Sequence, residues 1–350
     1  MKKLLLCMLV LSFATGLIAQ TDEQRAAQEK ARLDQLGAAT KDADAEGWTH
    51  RGAFGLDLGQ LLNINPYPGS GNSRLGLGGA IQYKAHYRRQ ALQWKNEVLF
   101  NFSAERTGTG TVSAGSDEKN PFRKALDLLQ FTSNVAYRIR ENSPWFFAFD
   151  AGLRTQLLNS YVDSASQVIY LRQLRLTPYN TNLVSKFFSP ALINIAPGIQ
   201  YSKTKDLQIF LSPLAGQIIV IGDEAIANLG VHGTALKEGS TTDYERSKFA
   251  LGAYLKTSYS HTFFQRLNVS SELGLFSDYL DQPQNIDVAW VNQIGIDLSK
   301  GLQLGLAINL FYDDDKVNNI TDFNSPGGIS GQGRRVNLIE QLLLNYTRSF

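Results

Sequence analysis

The alternation of residue types in this chain predicts an all-β fold: a membrane-spanning, antiparallel up-and-down β-barrel of about twelve strands, behind a short leader that is helical or disordered. Three observations carry the prediction. Apolar and polar residues alternate over segments long enough to cross a bilayer. The connections between those segments switch between tight turns and long polar loops, and the alternation runs to the final residue.

Composition sets the outer bounds. A chain of 350 residues can bury a sizeable core, and a formal net charge of +2 leaves no electrostatic footprint for nucleic acid. A hydrophobic share of 43% would ordinarily describe a soluble protein, but a membrane barrel shows lipid only every second residue and so looks polar on average.

The elements follow in order. Residues 1–19 have the form of a secretory signal peptide: Lys2 and Lys3, an apolar run from Leu4, and small residues at Ala14, Gly16 and Ala19, with cleavage expected after Ala19. The single cysteine, Cys7, lies in that run, so the processed chain is thiol-free. Residues 20–46 are rich in Ala, Glu, Lys and Arg, which favours a helix ending near Gly37. They are expected to form a periplasmic leader, either solvated or serving as a plug or partner-binding helix. Beyond the signal peptide no apolar stretch approaches the ~20 residues that a membrane helix needs, so any span must be made of strands.

From Gly47 to Phe350 the period is two. The segment SRLGLGGAIQYKAHYRR sets Leu75, Leu77, Ile81, Tyr83 and Tyr87 against Arg74, Gln82, Lys84, His86 and Arg88. The next sets Trp94, Val98, Phe100 and Phe102 against Gln93, Lys95, Glu97, Asn101 and Glu105, and only a short turn separates the two, which makes a hairpin. Strands are expected at 48–61, 73–88, 92–106, 125–140, 145–158, 189–202, 207–221, 247–260, 266–280, 285–299, 302–313 and 335–350. Connections after even strands are tight, with Asn142-Ser143-Pro144 and Lys300-Gly301 as turn formers. Those after odd strands are long and polar, apart from the short one near Asp281 to Gln284. Turns on the periplasmic side and loops outside then place both termini in the periplasm and the barrel in an outer membrane.

Aromatic placement is a separate indication. Tyr87, Trp94, Tyr137, Trp145, Tyr201, Tyr259 and Tyr346 fall on the apolar face near the turn end, and Tyr279 and Tyr312 near the other rim, as an aromatic girdle would. The last strand, with Leu342, Leu344, Tyr346 and the terminal Phe350 on one side, resembles the C-terminal signal by which outer-membrane barrels are recognised by the barrel-assembly machinery during insertion. Arg348 departs from it.

With the strands laid out, GWTHRGAFGLDLGQ, WKNEVLFNF, KALDLLQFTSNVAYRI, AGLRTQLLNSY, FFSPALINIAPGIQY, LSPLAGQIIVIGDEAIANLGVHG, LGLFSDYLDQPQNIDVAW and YDDD are distributed along residues 47–350. In these stretches the sequence resembles an uncharacterised Bacteroidota family of outer-membrane barrels, a domain of unknown function. NINPYPGSGNS departs from that family in lacking a tryptophan. The resemblance implies a barrel and a compartment, and no activity or catalytic residues.

The residues themselves offer little chemistry, and neither an enzyme nor a cofactor is expected. His232, with Asp223 and Glu224 in the same long loop, is the one outward-facing hydrolase candidate; a solvated loop histidine is the plainer reading. Asp313, Asp314 and Asp315 lack the spaced ligands and glycine of a calcium loop. Asp163-Ser164-Ala165 resembles a short Bacteroidota O-glycosylation motif. The informative surface is the inward face, expected to carry Arg74, Lys84, Arg88, Lys95, Glu97, Arg138, Asp150, Arg154, Lys256, Glu272, Asp287, Asp297 and Glu340. Eight strands leave room only for side chains and 16–18 enclose a water channel, so twelve fits either a narrow passage for small polar solutes or an interior filled by ion pairs. The alternative to a channel is a non-conducting scaffold in the lipid bilayer whose outer loops or leader bind an envelope or secretion partner.

Overall fold

The computed structural model describes residues 46–64, 73–106, 123–161, 183–313, 317–322, 324–325 and 328–349. The signal peptide, the leader before Glu46, the Asp163-Ser164-Ala165 motif, Asp314, Asp315 and Phe350 lie outside the described residues.

Twelve long strands form the wall: β1 (Gly47–Ile64), β2 (Ser73–Arg89), β3 (Leu92–Arg106), β4 (Arg123–Arg138), β5 (Trp145–Thr155), β8 (Ala191–Tyr201), β9 (Leu207–Val220), β10 (Ser247–Phe263), β11 (Leu267–Asp278), β12 (Asp287–Ser299), β13 (Leu302–Tyr312) and β16 (Asn337–Ser349). Each pairs antiparallel with its neighbours in chain order, and β16 returns to β1 with Ala53 opposite Ser349 and Leu62 opposite Glu340, closing the barrel. Closure leaves no edge strand in the wall, which is what lets a sheet sit in lipid. Every wall strand overlaps a segment expected from the sequence. Four short strands were not expected: β6 (Ser160–Tyr161) pairs with β7 (Leu183–Ser185), and β14 (Asn318–Thr321) with β15 (Ile329–Gly333), inside two of the long connections. Stretches such as NNIT and ISGQG are too short and too polar to show an alternation.

The β2–β3 turn is Gln90-Ala91, with Gln90 at φ +50, and the β4–β5 turn uses Asn142 at φ +57. The start of β1 and the end of β16 lie at this same turn end, as an even number of strands requires. Strand β10 runs on to Phe263, past the expected end at 260, so His261 lies in the strand, with its Nδ1 3.0 Å from Asp206 Oδ2.

Burial follows the period of two. On β16, Ile339, Gln341, Leu343 and Asn345 are buried while Leu342, Leu344 and Tyr346 between them are exposed. The outward face is an apolar belt, with Leu56, Ile81 and Phe147 each more than half exposed, whereas inward Phe210 is 1% exposed. An exposed apolar surface running around the whole molecule is what hydrocarbon solvates. Trp94, Trp290, Ser271 and Asn292 on that belt have their polar groups satisfied within the wall. Trp94 Nε1 donates to Ser133 Oγ (3.0 Å), Trp290 Nε1 to Ser271 Oγ (3.0 Å), Ser271 Oγ to Asn292 Oδ1 (2.7 Å), and Asn292 Nδ2 to the Ile308 carbonyl (3.1 Å). Left unpaired in hydrocarbon, such groups would each cost several kcal/mol.

One irregularity shapes the wall. The register of β9 slips against both neighbours, between Ile195 and Ile199 on β8 and between Gly252 and Tyr254 on β10. Around Pro213 the strand carries an extra residue, so Leu211 and Leu214 both face out and the alternation changes phase. Proline is tolerated there because a bulge frees it from donating to the ladder.

Candidate functional site

The candidate site is the barrel interior. Register gives each residue its side: on β2 the inward phase is that of buried Ala80 and Gln82, on β3 of Leu99 and Asn101, on β5 of Phe146 and Ala148, on β11 of Phe276, and on β12 of Val291 and Gln293. Lys84 and Arg88, Lys95 and Glu97, Arg138, Asp150 and Arg154, Lys256, Glu272, and Asp287 and Asp297 share that inward phase on their strands, and all are half-buried. Arg74 holds the same register phase on β2.

Glu340 is a correction. It pairs with Ile308 on β13 and Leu62 on β1, in phase with exposed Leu342 and Leu344, and so stands on the outward face near the loop end of β16. Charge is a poor guide near a rim, where a strand leaves hydrocarbon; counting by two from Leu342 assigns the side.

Two sets of inward residues lie outside the charges singled out in the sequence. Arg51 on β1 sits directly opposite Lys84. A series of carboxamides, Gln82, Asn101, Gln293, Gln303, Asn309, Gln341 and Asn345, is buried on the inward side. Both follow from the same period of two once it is applied to uncharged and first-strand residues.

The interior is partly filled. Ala136, Phe146, Ala148, Ala196, Phe210, Ala215 and Phe276 pack together inside the β4–β11 side of the wall, with Tyr254 against them. Smaller groups are Val291, Ala307, Phe311 and Ile339, and Ala53, Ala80 and Leu99. Over the first group Lys256 Nζ donates to Asp150 Oδ2 at 2.7 Å, and its ammonium lies 6.0 Å from the Phe210 ring centroid. Strands β8 and β9 separate these two residues in the wall, so the bridge is a chord through the lumen. Twelve strands at the usual spacing and tilt enclose a backbone cylinder roughly 24 Å across; the chord and the aromatics narrow it.

The other charges are held in place. Gln82 Nε2 donates to Glu97 Oε1 (2.6 Å) and Ser258 Oγ to Glu272 Oε2 (3.0 Å). Asp297 accepts from Asn268 Nδ2 (3.1 and 3.2 Å) and from Gln303 Nε2 (2.8 Å). The Arg138 guanidinium lies 4.7 Å over the Phe146 ring and donates to the Ser143 carbonyl.

At the turn end, Tyr87 and Trp94 form an outward aromatic group with Trp48, His50 and Tyr83, with centroids 5.2–6.0 Å apart along the chain of contacts. Trp145 and Tyr201 pack edge-on at 4.8 Å. Tyr137 and Tyr346 stand exposed in the same outward phase, Tyr259 is half-buried there, and exposed Tyr279 and half-buried Tyr312 lie toward the loop end.

The loop between β9 and β10 folds on a single helical turn, α1 (Glu224–Ala227), capped by Asp223, whose carboxylate accepts from Ala225 and Ile226 N–H and binds Lys186. His232 Nε2 meets the Val184 carbonyl at 2.9 Å and Glu224 pairs with Lys237, so the three residues of the hydrolase candidate are separately engaged. The hydrogen bond from Lys186, reinforced by the cap, holds the Asp223 carboxyl below its ordinary 3.8. A lowered folded-state value means stability present above the unfolded pKa and lost as pH falls through the folded one. Pepsin cleavage in this loop is therefore expected to rise as the pH drops below about 3.8 and to rise at higher pH in Asp223→Ala; acid-insensitive cleavage would contradict it.

A closed sheet, apolar outside and charged within, defines the class: a transmembrane β-barrel. A family model described as a protein of unknown function (DUF3078) matches residues 62–161, from the end of β1 to β6. That stretch is narrower than residues 47–350, the extent expected from the sequence. No curated protein matches the chain. Similar solved structures include the COG4313 outer membrane channel from Pseudomonas putida F1, with 13% identity, TM-score 0.41, and 88% of this chain and 97% of that one covered. The translocator domain of the autotransporter NalP from Neisseria meningitidis has 9% identity, TM-score 0.39, and coverage of 93% and 97%. The outer membrane channel DcaP of Acinetobacter baumannii has 8% identity, TM-score 0.33, and coverage of 88% and 99%. Likeness at this level leaves function to the chain's own residues.

Proposed function

We propose that the protein is an outer-membrane β-barrel that forms a narrow channel for small polar solutes, with its short turns and both termini on the periplasmic side and the barrel-assembly machinery and the lipid bilayer as its partners. One observation carries the reading: inside a closed wall, charged side chains of both signs stay half-buried instead of fully packed, so water reaches them past the aromatic groups and the Asp150–Lys256 chord. No reaction or cofactor is part of this reading.

The test is the purified protein in a planar bilayer, where stepwise conductance smaller than that of wide porins is expected. A silent barrel would support the scaffold reading, for which the β9–β10 loop offers exposed Leu229, Val231 and Leu236 to a partner in the envelope.

A further inference from the structure

The charges of the turn-proximal lumen are sorted by wall. On β1–β4 the inward residues there are Arg51, Lys84, His86, Arg88, Lys95 and Arg138, with Glu97 among them. Arg51 faces Lys84 directly across the β1–β2 ladder, and on its other side Lys84 faces Glu97 across β2–β3. The opposed like charges of Arg51 and Lys84 cost the sheet stability, and among the inward cations of this wall the one carboxylate of Glu97 offsets only part of it. On β11 and β12 the inward ionisable residues of the turn-proximal halves are Glu272 and Asp297, both ordered by hydrogen bonds. In the closed order β2 and β3 lie nearly across the lumen from β10 to β12. The cation nearest the acidic wall, Lys256, is occupied by Asp150.

A cationic wall facing an anionic wall sets up a field across the passage, and low-dielectric walls concentrate it. A monovalent ion gains at one wall and loses at the other, so the field gives little net ion selectivity. A neutral solute gains little. A small molecule with a separated ammonium and carboxylate gains at both ends when it lies across the lumen, and it can leave because neither contact is strong alone.

We propose that the turn-proximal lumen favours small zwitterions over uncharged solutes of the same size, with Arg51, Lys84 and Lys95 receiving the carboxylate and Glu272 and Asp297 the ammonium. This rests on the channel reading. It is tested by swelling of liposomes carrying the full processed chain in alanine and in its uncharged isomer lactamide, with the rates of protein-free liposomes subtracted. Alanine is expected to enter about threefold faster than lactamide. The pair Glu272→Gln and Asp297→Asn should remove that preference and make the channel anion-selective by reversal potential. The pair Lys84→Gln and Lys95→Gln, which takes away two of the three cations that receive the carboxylate, should remove most of it and shift the reversal potential toward cations relative to the wild type. Equal wild-type rates in a conducting barrel overturn the inference whatever the variants do, and so does a preference that survives both pairs of substitutions. Absence of swelling and of conductance overturns the channel reading itself, a result distinguishable from equal rates.

Discussion

Gly252→Ala is expected to destabilise the barrel by about 3 kcal/mol, the upper range for forced overpacking. A Cβ at this position would lie 2.0 Å from the Ser277 carbonyl oxygen on β11 and 3.0 Å from the Phe276 ring. The ring could turn aside, but the carbonyl belongs to the ladder and cannot move without breaking strand pairing. Gly198 on β8 repeats the arrangement, with a Cβ 2.2 Å from the Leu211 carbonyl oxygen of β9. The two glycines flank the β9 bulge on either side, so the wall turns a corner there by bringing backbone close to backbone. Gly331 on β15, where a Cβ meets nothing, is the control. Urea titration of the folded species, followed by heat-dependent gel migration, should separate Gly252→Ala and Gly198→Ala from Gly331→Ala. Equal midpoints for all three would contradict the corner. Against a typical total stability of about 5–15 kcal/mol, a loss of this size removes a large fraction.

That corner also shows where sequence reading stops. The wall strands were legible because lipid on one side and the lumen on the other impose a period of two on every residue, and strands such as β2, β3 and β16 obey it from end to end. The bulge at Pro213 shifts that period by one residue in the middle of a strand, and LSPLAGQIIV still looks apolar on either count. Glu340 failed for the opposite reason: the period was clear, and the charge overrode it. The interior was legible as a list of charges but not as an arrangement. Which charges share a wall depends on strand order around the cylinder, and the contact between Asp150 and Lys256 depends on curvature that brings residues 106 positions apart within a hydrogen bond. The aromatic filling was hidden too, because Phe146, Phe210 and Phe276 look like any other apolar residues until the register turns them inward.

The Asp150–Lys256 chord yields the second large effect. Both side chains are about one-fifth exposed, so loss of one partner leaves the other partly desolvated without its counter-charge. Lys256→Met and Asp150→Ala are each expected to destabilise by roughly 2 kcal/mol, less than for wholly buried pairs, and the double variant by less than the sum. Conduction separates the variants further. Lys256→Met leaves an unopposed carboxylate in the narrow part of the lumen and should shift selectivity toward cations. Asp150→Ala leaves the ammonium over the Phe210 ring and should shift it toward anions. A double alanine variant, Lys256→Ala with Asp150→Ala, removes both charges and the obstruction, so selectivity returns to that of the wild type while unitary conductance rises, by about twofold if the chord is the main constriction. Single-channel recording in a potassium chloride gradient reads both quantities at once. If the double variant conducts no better than the wild type, the constriction lies elsewhere; if the two single variants shift the same way, the pair does not face the permeating ion.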